Sequence, residues 1–292
     1  MKRTISLLLC LLTLLSLTAC GGKYPKEQLQ YTLDNTTVED YNKAGSLENI
    51  LKTYGYYQHN LKTVSPAGEN EGTLVYTTDE KGNYVQYGYI GGDEAMESYT
   101  GDGANYCYYP TRNSGSLDVF PASKYNENFL VYYALTEISE EGLTKGTGKG
   151  QLVLTQLLDH GEEYEYYDQM FYYLNPETLL TEKTVMKTFD RNDLLMETTE
   201  STYVYGKPDK EQELPKVRNM ADDPEALTLT VIDLDKNGNQ LAERHYPVKK
   251  GLYVIAWDFT ESYTPYRDAE CTKQLFEYAT INEDMTLYLK EN

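Results

Sequence analysis

Thirty tyrosines stand against six phenylalanines and one tryptophan in a chain of 292 residues. That ratio limits how the chain can hide its aromatic surface. Tyrosine has an apolar body and a polar tip, so it suits a pleated surface that is only half covered, where the hydroxyl can reach water or a partner. Sustained helical patterns are few, and most of the chain alternates apolar and polar residues with period two. The expectation is antiparallel sheet with tyrosine on a wet face. The same residue also suits a ligand-contacting surface. Apolar residues make up 40% of the chain, enough for a core, and its length allows one large domain or two modest ones.

Charge narrows the partners. The net charge is −20, and −22 without the first 19 residues, which carry Lys2 and Arg3 and no acid. Nucleic acid is excluded as a partner, because its binding needs clustered Lys and Arg to displace counterions. Adhesion to anionic lipid headgroups is disfavoured for the same reason. The acidity reads first as solubility, with a cationic ligand as the sharper alternative.

The first twenty residues read MKRTISLLLCLLTLLSLTAC. Lys2 and Arg3 make a positive start, and 5–17 is an apolar run too short to cross a bilayer. Leu17-Thr18-Ala19-Cys20 resembles a lipobox, in which an apolar residue and two small ones precede the cysteine that takes a diacylglycerol thioether. It implies a signal peptide over 1–19, palmitate-type acylation of Cys20 and a lipid anchor on the extracytoplasmic side of the cell membrane. Cys107 and Cys271 are then left, too few for a disulfide framework; they read as two free thiols or as one bridge between domains.

Residues 20–37 are polar, with Gly21, Gly22 and Pro25, and read as a lipidated tether. A helix is predicted over 38–57. Ser46 caps its better half, Leu47, Ile50, Leu51 and Tyr54 form one stripe, and Gly55 ends it. Strands are predicted at 73–78 and 84–90 around the turn 79–83, then at 106–109, 129–135, 164–174, 180–189 and 195–205. Leu152, Leu154 and Leu158 fall at even spacing, 139–150 reads as a loop, and 175–178 and 190–193 read as turns. Pro208, Pro215 and Pro224 sit in a charged stretch and mark a linker over 216–225. Strands restart at 227–233, 241–248, 252–259 and 285–289. The fold class is therefore α+β: a curved antiparallel sheet domain with a packed helix over 38–215, then a small module over 226–292.

Two resemblances refine this. Gly251, Tyr253 and Trp257, then Asp268, Cys271, Thr272 and Lys273, then Asp284, Met285, Thr286, Leu287, Tyr288 and Lys290 resemble the Listeria–Bacteroides repeat of internalins and other surface proteins. Ala256 in place of a glycine, extra residues after Trp257, and Glu291 in place of the final tryptophan depart from it. The likeness implies a β-grasp-like module used in adhesion. Over 38–215, the helix, the hairpins, the turn of Asn175, Pro176, Glu177 and Thr178 leading into two long strands, and Tyr203 to Pro208 resemble the lipoprotein-localisation-factor half-barrels. That family implies a half-barrel sheet that shelters a lipid or acyl chain.

Catalytic and metal patterns are thin. Asp233, Asp235, Asn237 and Gly238 fit half of a calcium loop, but Arg244 stands where a bidentate glutamate is needed, and the same residues make a hairpin turn. His59, His160 and His245 are scattered. Gly150 stands where a phosphate loop needs Ser or Thr after Gly148 and Lys149, and no G-x-S-x-G occurs. Acid pairs such as Glu162 and Glu163 are too common here to single out a glycosidase. The sequence points to a non-catalytic surface lipoprotein with no cofactor and no metal. It would hold a lipid or other hydrophobic ligand against Val85, Tyr87 and Tyr89. The alternative is an adhesion or cell-wall protein whose C-terminal module meets an envelope or protein partner.

Overall fold

The computed structural model describes residues 24–92, 95–135, 137–148, 150–161, 164–209, 225–256 and 261–292. The signal peptide, Cys20, Trp257, Lys149, Glu162, Glu163 and nearly all of the 216–225 linker lie outside them.

The elements in chain order are helices α1 (Lys26–Asn35), α2 (Val38–Gly45) and α3 (Leu47–Tyr54), then strands β1 (Tyr56–Ser65), β2 (Gly68–Thr78), β3 (Tyr84–Ile90), β4 (Met96–Gly101), β5 (Ala104–Tyr109) and β6 (Ser114–Val119). A 3-10 turn leads into helix α4 (Tyr125–Tyr132), followed by β7 (Leu143–Gly148), β8 (Gln151–Asp159), β9 (Tyr166–Leu174), β10 (Thr181–Asp190) and β11 (Leu195–Tyr205). Strands β12 (Leu227–Leu234), β13 (Gln240–Val248), β14 (Tyr253–Ala256), β15 (Tyr263–Tyr266), β16 (Ala279–Thr280) and β17 (Met285–Glu291) complete the chain. The class is α+β, built on open, mostly antiparallel sheet rather than a closed barrel.

Two compact units emerge from the packing, and they interleave along the sequence. The first holds the described residues up to Gly45, 64–66 and those up to Thr202 that follow 136; the second holds 46–63, 67–135 and the chain from Tyr203 onward. A single cut at 216–225 does not describe this division.

In the first unit the strands run β11-β10-β9-β8-β7, all antiparallel. Leu29, Val38 and Tyr41 of α1 and α2 pack with Leu152, Leu154, Tyr172 and Leu174, which share one face of β8 and β9. Residues 26–35, read as tether from their polarity, are thus a helix, because Leu29 finds this apolar face. The 139–150 loop contains strand β7, whose glycines, threonines and lysine suit the end of a sheet. On the opposite face, side chains of β10 remain half-buried; Lys183 pairs with Glu200 at 2.6 Å and Lys187 lies over the Phe171 ring.

In the second unit β1 to β6 lie side by side in chain order, β14 joins β6 in parallel, and β16 pairs with β14. A further sheet runs β13-β12-β17-β15, with its two central strands, β12 and β17, parallel. The predicted helix over 38–57 is two helices, α2 and α3, broken at Ser46, which accepts from the Asn49 amide as an N-cap. The strand predicted at 129–135 is instead covered by helix α4 and the chain after it. Its aromatic, β-branched composition reads as strand, but Tyr125 and Tyr132 at helical spacing meet Phe120, Phe129 meets Tyr125, and Phe129 and Tyr133 pack together 4.8 Å apart. Strands β1, β4 and β6 have no counterpart in the sequence reading.

Residues 226–292 do not pack alone. Leu229, Val231, Val248, Ile281 and Leu287 share one core with Ala104, Leu117 and Val119. A polar clamp fixes the same contact. Arg244 pairs with Asp233 at 2.7 Å and donates to the carbonyls of Gly103 and Phe120, while the Ala122 amide donates to Asp233. Arg244, the residue that spoils the calcium pattern, is the centre of this clamp. Asp233 turns toward it, and Asp235 accepts from the amides of its own turn, so the two carboxylates serve separate partners.

A candidate binding face of tyrosines

Side chains on β1–β6 alternate between two faces of different chemistry. One lies under α4. There Gln86, Ser98, Thr100, Asn105 and Asp118 are buried and linked. Asn105 and the Tyr132 hydroxyl each donate to Asp118 at 3.1 Å, and Thr100 hydrogen-bonds Asn105 and Tyr133. Burial pushes the Asp118 carboxyl up, against the pull of Asn105, Tyr132 and Ser116, and its Oδ1 has no hydrogen-bond partner. Phe120, Phe129 and Tyr125 close the layer above. This face is filled by its own side chains. Nearby, His59 stacks on Tyr203 with ring centres 5.0 Å apart, and burial lowers its pKa to about 4, so it is neutral at physiological pH.

The other face carries Val85, Tyr87 and Tyr89. The register aligns two rows across the strands. Val75, Tyr87, Tyr99, Tyr106 and Leu117 stand opposite one another in turn, and beside them run Thr73, Tyr89, Glu97 and Tyr108. Tyr87 and Tyr99 rings are 5.2 Å apart, Tyr99 and Tyr106 are 6.5 Å apart, and Tyr106 meets Tyr246 edge-on at 6.4 Å. Val75 and Leu117 close the row at buried ends, and Tyr87 is its exposed ring, next to Val75.

Glycines set the pose of two rings. A Cβ on Gly101 would lie 2.2 Å from the Tyr99 hydroxyl, and one on Gly91 would lie 3.2 Å from that of Tyr89. Each tyrosine thus reclines over the glycine two residues ahead, laying its ring along the sheet.

The three residues singled out from the sequence share this face but not its exposure. Val85 is 5% exposed and belongs to the interior, Tyr87 is 42% exposed, and Tyr89 is partly covered. The sequence reading missed Tyr99, Glu97 and Tyr108 as their neighbours, because β4 was not recognised; only the alternation in 96–101 could have revealed it. Burial, then the charges of Asp102 and Asp79, raise Tyr87, and burial chiefly lifts Tyr99 to about 12, so both are neutral donors and acceptors at pH 7.

No family model matches the chain, and no curated protein matches it. Some solved structures resemble it in part. MucB aligns at 10% identity and a TM-score of 0.36, over 62% of this chain and 62% of that one. The MucA/MucB complex of Pseudomonas aeruginosa aligns at 9% identity and 0.32, over 61% and 65%. A lipoprotein-sorting protein domain of Vibrio parahaemolyticus aligns at 9% and 0.26, over 60% of this chain and 94% of that domain. The chain thus spans under two thirds of MucB, and the functional reading rests on its own residues.

In the first unit His160 lies 2.9 Å from Asp168, which also accepts from Thr188 at 2.6 Å. The carboxylate sits between the imidazole and the hydroxyl, whereas activating a hydroxyl needs the imidazole in the middle. Cys107 and Cys271 are both free thiols. Among the described residues no group of three or more His, Cys, Asp or Glu is placed to hold a metal.

Proposed function

We propose that this chain is a non-catalytic binding protein, anchored by lipid on Cys20 at the extracytoplasmic side of the cell membrane. It takes a ligand with hydrophobic surface on the open tyrosine face of β3–β5. One observation carries the reading: Tyr87 stands in solvent at the end of an aromatic row whose other end is locked into the core against Tyr246. A ring fixed in advance loses little rotamer freedom on binding and offers both a flat apolar surface and a hydroxyl. The opposite face has its helix-side space filled by Phe120, Phe129 and Tyr125, so the ligand lies on the sheet rather than inside it.

Native mass spectrometry and lipid extraction of the purified chain from Gly21 onward test this. A bound or transferable hydrophobic molecule, reduced in Tyr87→Ala, is expected. Ligand-free protein that also fails to take up added lipid would sink the lipid version.

A second reading has its own observation. Phe276 is 83% exposed and Tyr278 55%, and Tyr278 meets Tyr253 edge-on at 5.1 Å beside the two-residue strand β16. Such a patch suits adhesion through the C-terminal module. Co-sedimentation with purified cell-wall material, lost in Phe276→Ser with Tyr278→Ser and kept in Tyr87→Ala, would favour it. Equal sedimentation of all three proteins would remove it.

A further inference from the structure

In the first unit α1 and α2 cover one face of the sheet, and among the described residues no helix of that unit covers the other. The register puts Leu157, Tyr167, Phe171, Tyr173, Phe189 and Leu195 on the open face. The four rings are half-buried, and Leu157 and Leu195 are 50% and 46% exposed. The acids on this face are engaged: Glu200 pairs with Lys183 at 2.6 Å and Asp159 with Arg191 at 2.9 Å. Lys187 runs over the Phe171 ring. The helix side differs, with Glu27, Asp34, Glu39 and Asp40 all exposed. In a chain at −20, the open face is thus an aromatic surface with its charges balanced.

The anchor would reach the sheet at the rim of this face. Cys20 lies four residues before Tyr24, a span of at most about 14 Å. The Tyr24 amide donates to the Gly150 carbonyl between β7 and β8, and its hydroxyl donates to Glu182 at the start of β10. The far end of β10, about 33 Å along the strand, leads into Leu194 and Met196, which are 66% and 45% exposed.

We propose that the open face of β8–β11 lies flat on the bilayer that holds the Cys20 lipid, fixed at one end by the acyl chains and at the other by the hairpin of Leu194, Leu195 and Met196. This rests on the lipid-anchor reading above and gives the anchored protein an orientation. Aromatic rings settle at the boundary between headgroups and acyl chains, and a lysine there lays its stem over apolar surface with the ammonium among the phosphates. The reverse orientation would press the exposed acids of α1 and α2 against those phosphates. The sheet face alone holds a membrane weakly; a short tether makes it the second attachment of a bivalent contact.

The test uses the full chain purified from bacterial membranes, placed on phosphatidylcholine vesicles and recovered by flotation. Hydroxyl-radical footprinting read by mass spectrometry then compares it with soluble Cys20→Ala protein. Leu157, Leu195 and Met196 should be oxidised about fivefold more slowly on vesicles, while Tyr31, 69% exposed on α1, should be oxidised equally in both. The protection should persist when the protein is diluted on the vesicle surface. Equal oxidation at all four residues, protection of Tyr31 instead, or protection that disappears on dilution and so reports contact between copies, would overturn the orientation and leave the anchor standing. A chain that fails to float with the vesicles would overturn both. No residue of the face is substituted, so a change of fold cannot mimic the expected result.

Discussion

Three hairpins in this chain turn on the same aspartate geometry. Asp79, Asp190 and Asp235 each accept from the amides two and four residues ahead at 2.8 Å, and the residue three ahead has positive φ. Gly82 and Gly238 fill that position in two of them, while Asp193 takes φ 63° in the third. Replacing Asp193 with glycine should therefore stabilise by about 0.5 kcal/mol, read by denaturant midpoint, despite losing an exposed hydrogen bond from Tyr167. The Leu194 amide, then Asn192, hold Asp190 below its ordinary 3.8, and the Asn239 side chain and amide do the same for Asp235. Their stabilisation is complete above pH ~4 and is lost as pH falls through the lowered values. Thermal scans from pH 5 to 2 should show a shallower fall for Asp190→Asn with Asp235→Asn than for the native chain. Asp118 has the opposite sign. Burial raises it, so its ionisation opposes folding as pH rises. Asp118→Asn keeps the acceptor for Asn105 and Tyr132, and its melting temperature should gain on the native chain from pH 4 to 8. A gap that stays flat with pH would refute that account.

At the scale of elements, the Arg244 clamp carries the sharpest stability prediction. Arg244→Ala leaves Asp233, 2% exposed, without its counter-ion and should cost about 3–5 kcal/mol in chemical denaturation. Leu154→Ala, at the centre of the α1–α2 contact, should cost about 2–5 kcal/mol. What could be read beforehand divides along similar lines. The turns at 79–83, 190–193 and 235–238 were legible because aspartate, asparagine and glycine state the turn chemistry locally. The helix after Ser46 was legible from its cap and stripe. Helix α4 was not, because Tyr-Asn-Glu-Asn-Phe-Leu-Val-Tyr has no cap and a strand-like composition, and its helicity comes from packing over β3 and β6. Helix α1 was hidden because Leu29 and Leu33 look sparse until Leu152 and Leu154 are placed beneath them. Of the candidate site, Tyr87 and Tyr89 could be read from alternation within one strand. Tyr99 and Glu97 could not, since cross-strand register is a non-local property.

At the scale of the whole molecule, the C-terminal segment belongs to the core of the second unit. Ala104, Leu117 and Val119 are fully covered only with Leu229, Val231 and Leu287 in place. A chain ending at residue 225 should accordingly bind the dye ANS and lose cooperative unfolding of that unit, whereas a freely separable module would leave both unchanged. The same arrangement anchors the tyrosine row through Tyr106 and Tyr246, so the binding face depends on residues 226–292 without being formed from them. The central claim is that ligand sits on that face. Its most direct test is carbon-13 labelling of the tyrosine rings in the chain from Gly21 onward, with two-dimensional NMR during titration of dodecyl maltoside below its micelle concentration. The account predicts that Tyr87, Tyr89 and Tyr99 shift together and saturate with one affinity. Shifts confined to Tyr253 and Tyr278, or none at any ring, would contradict it.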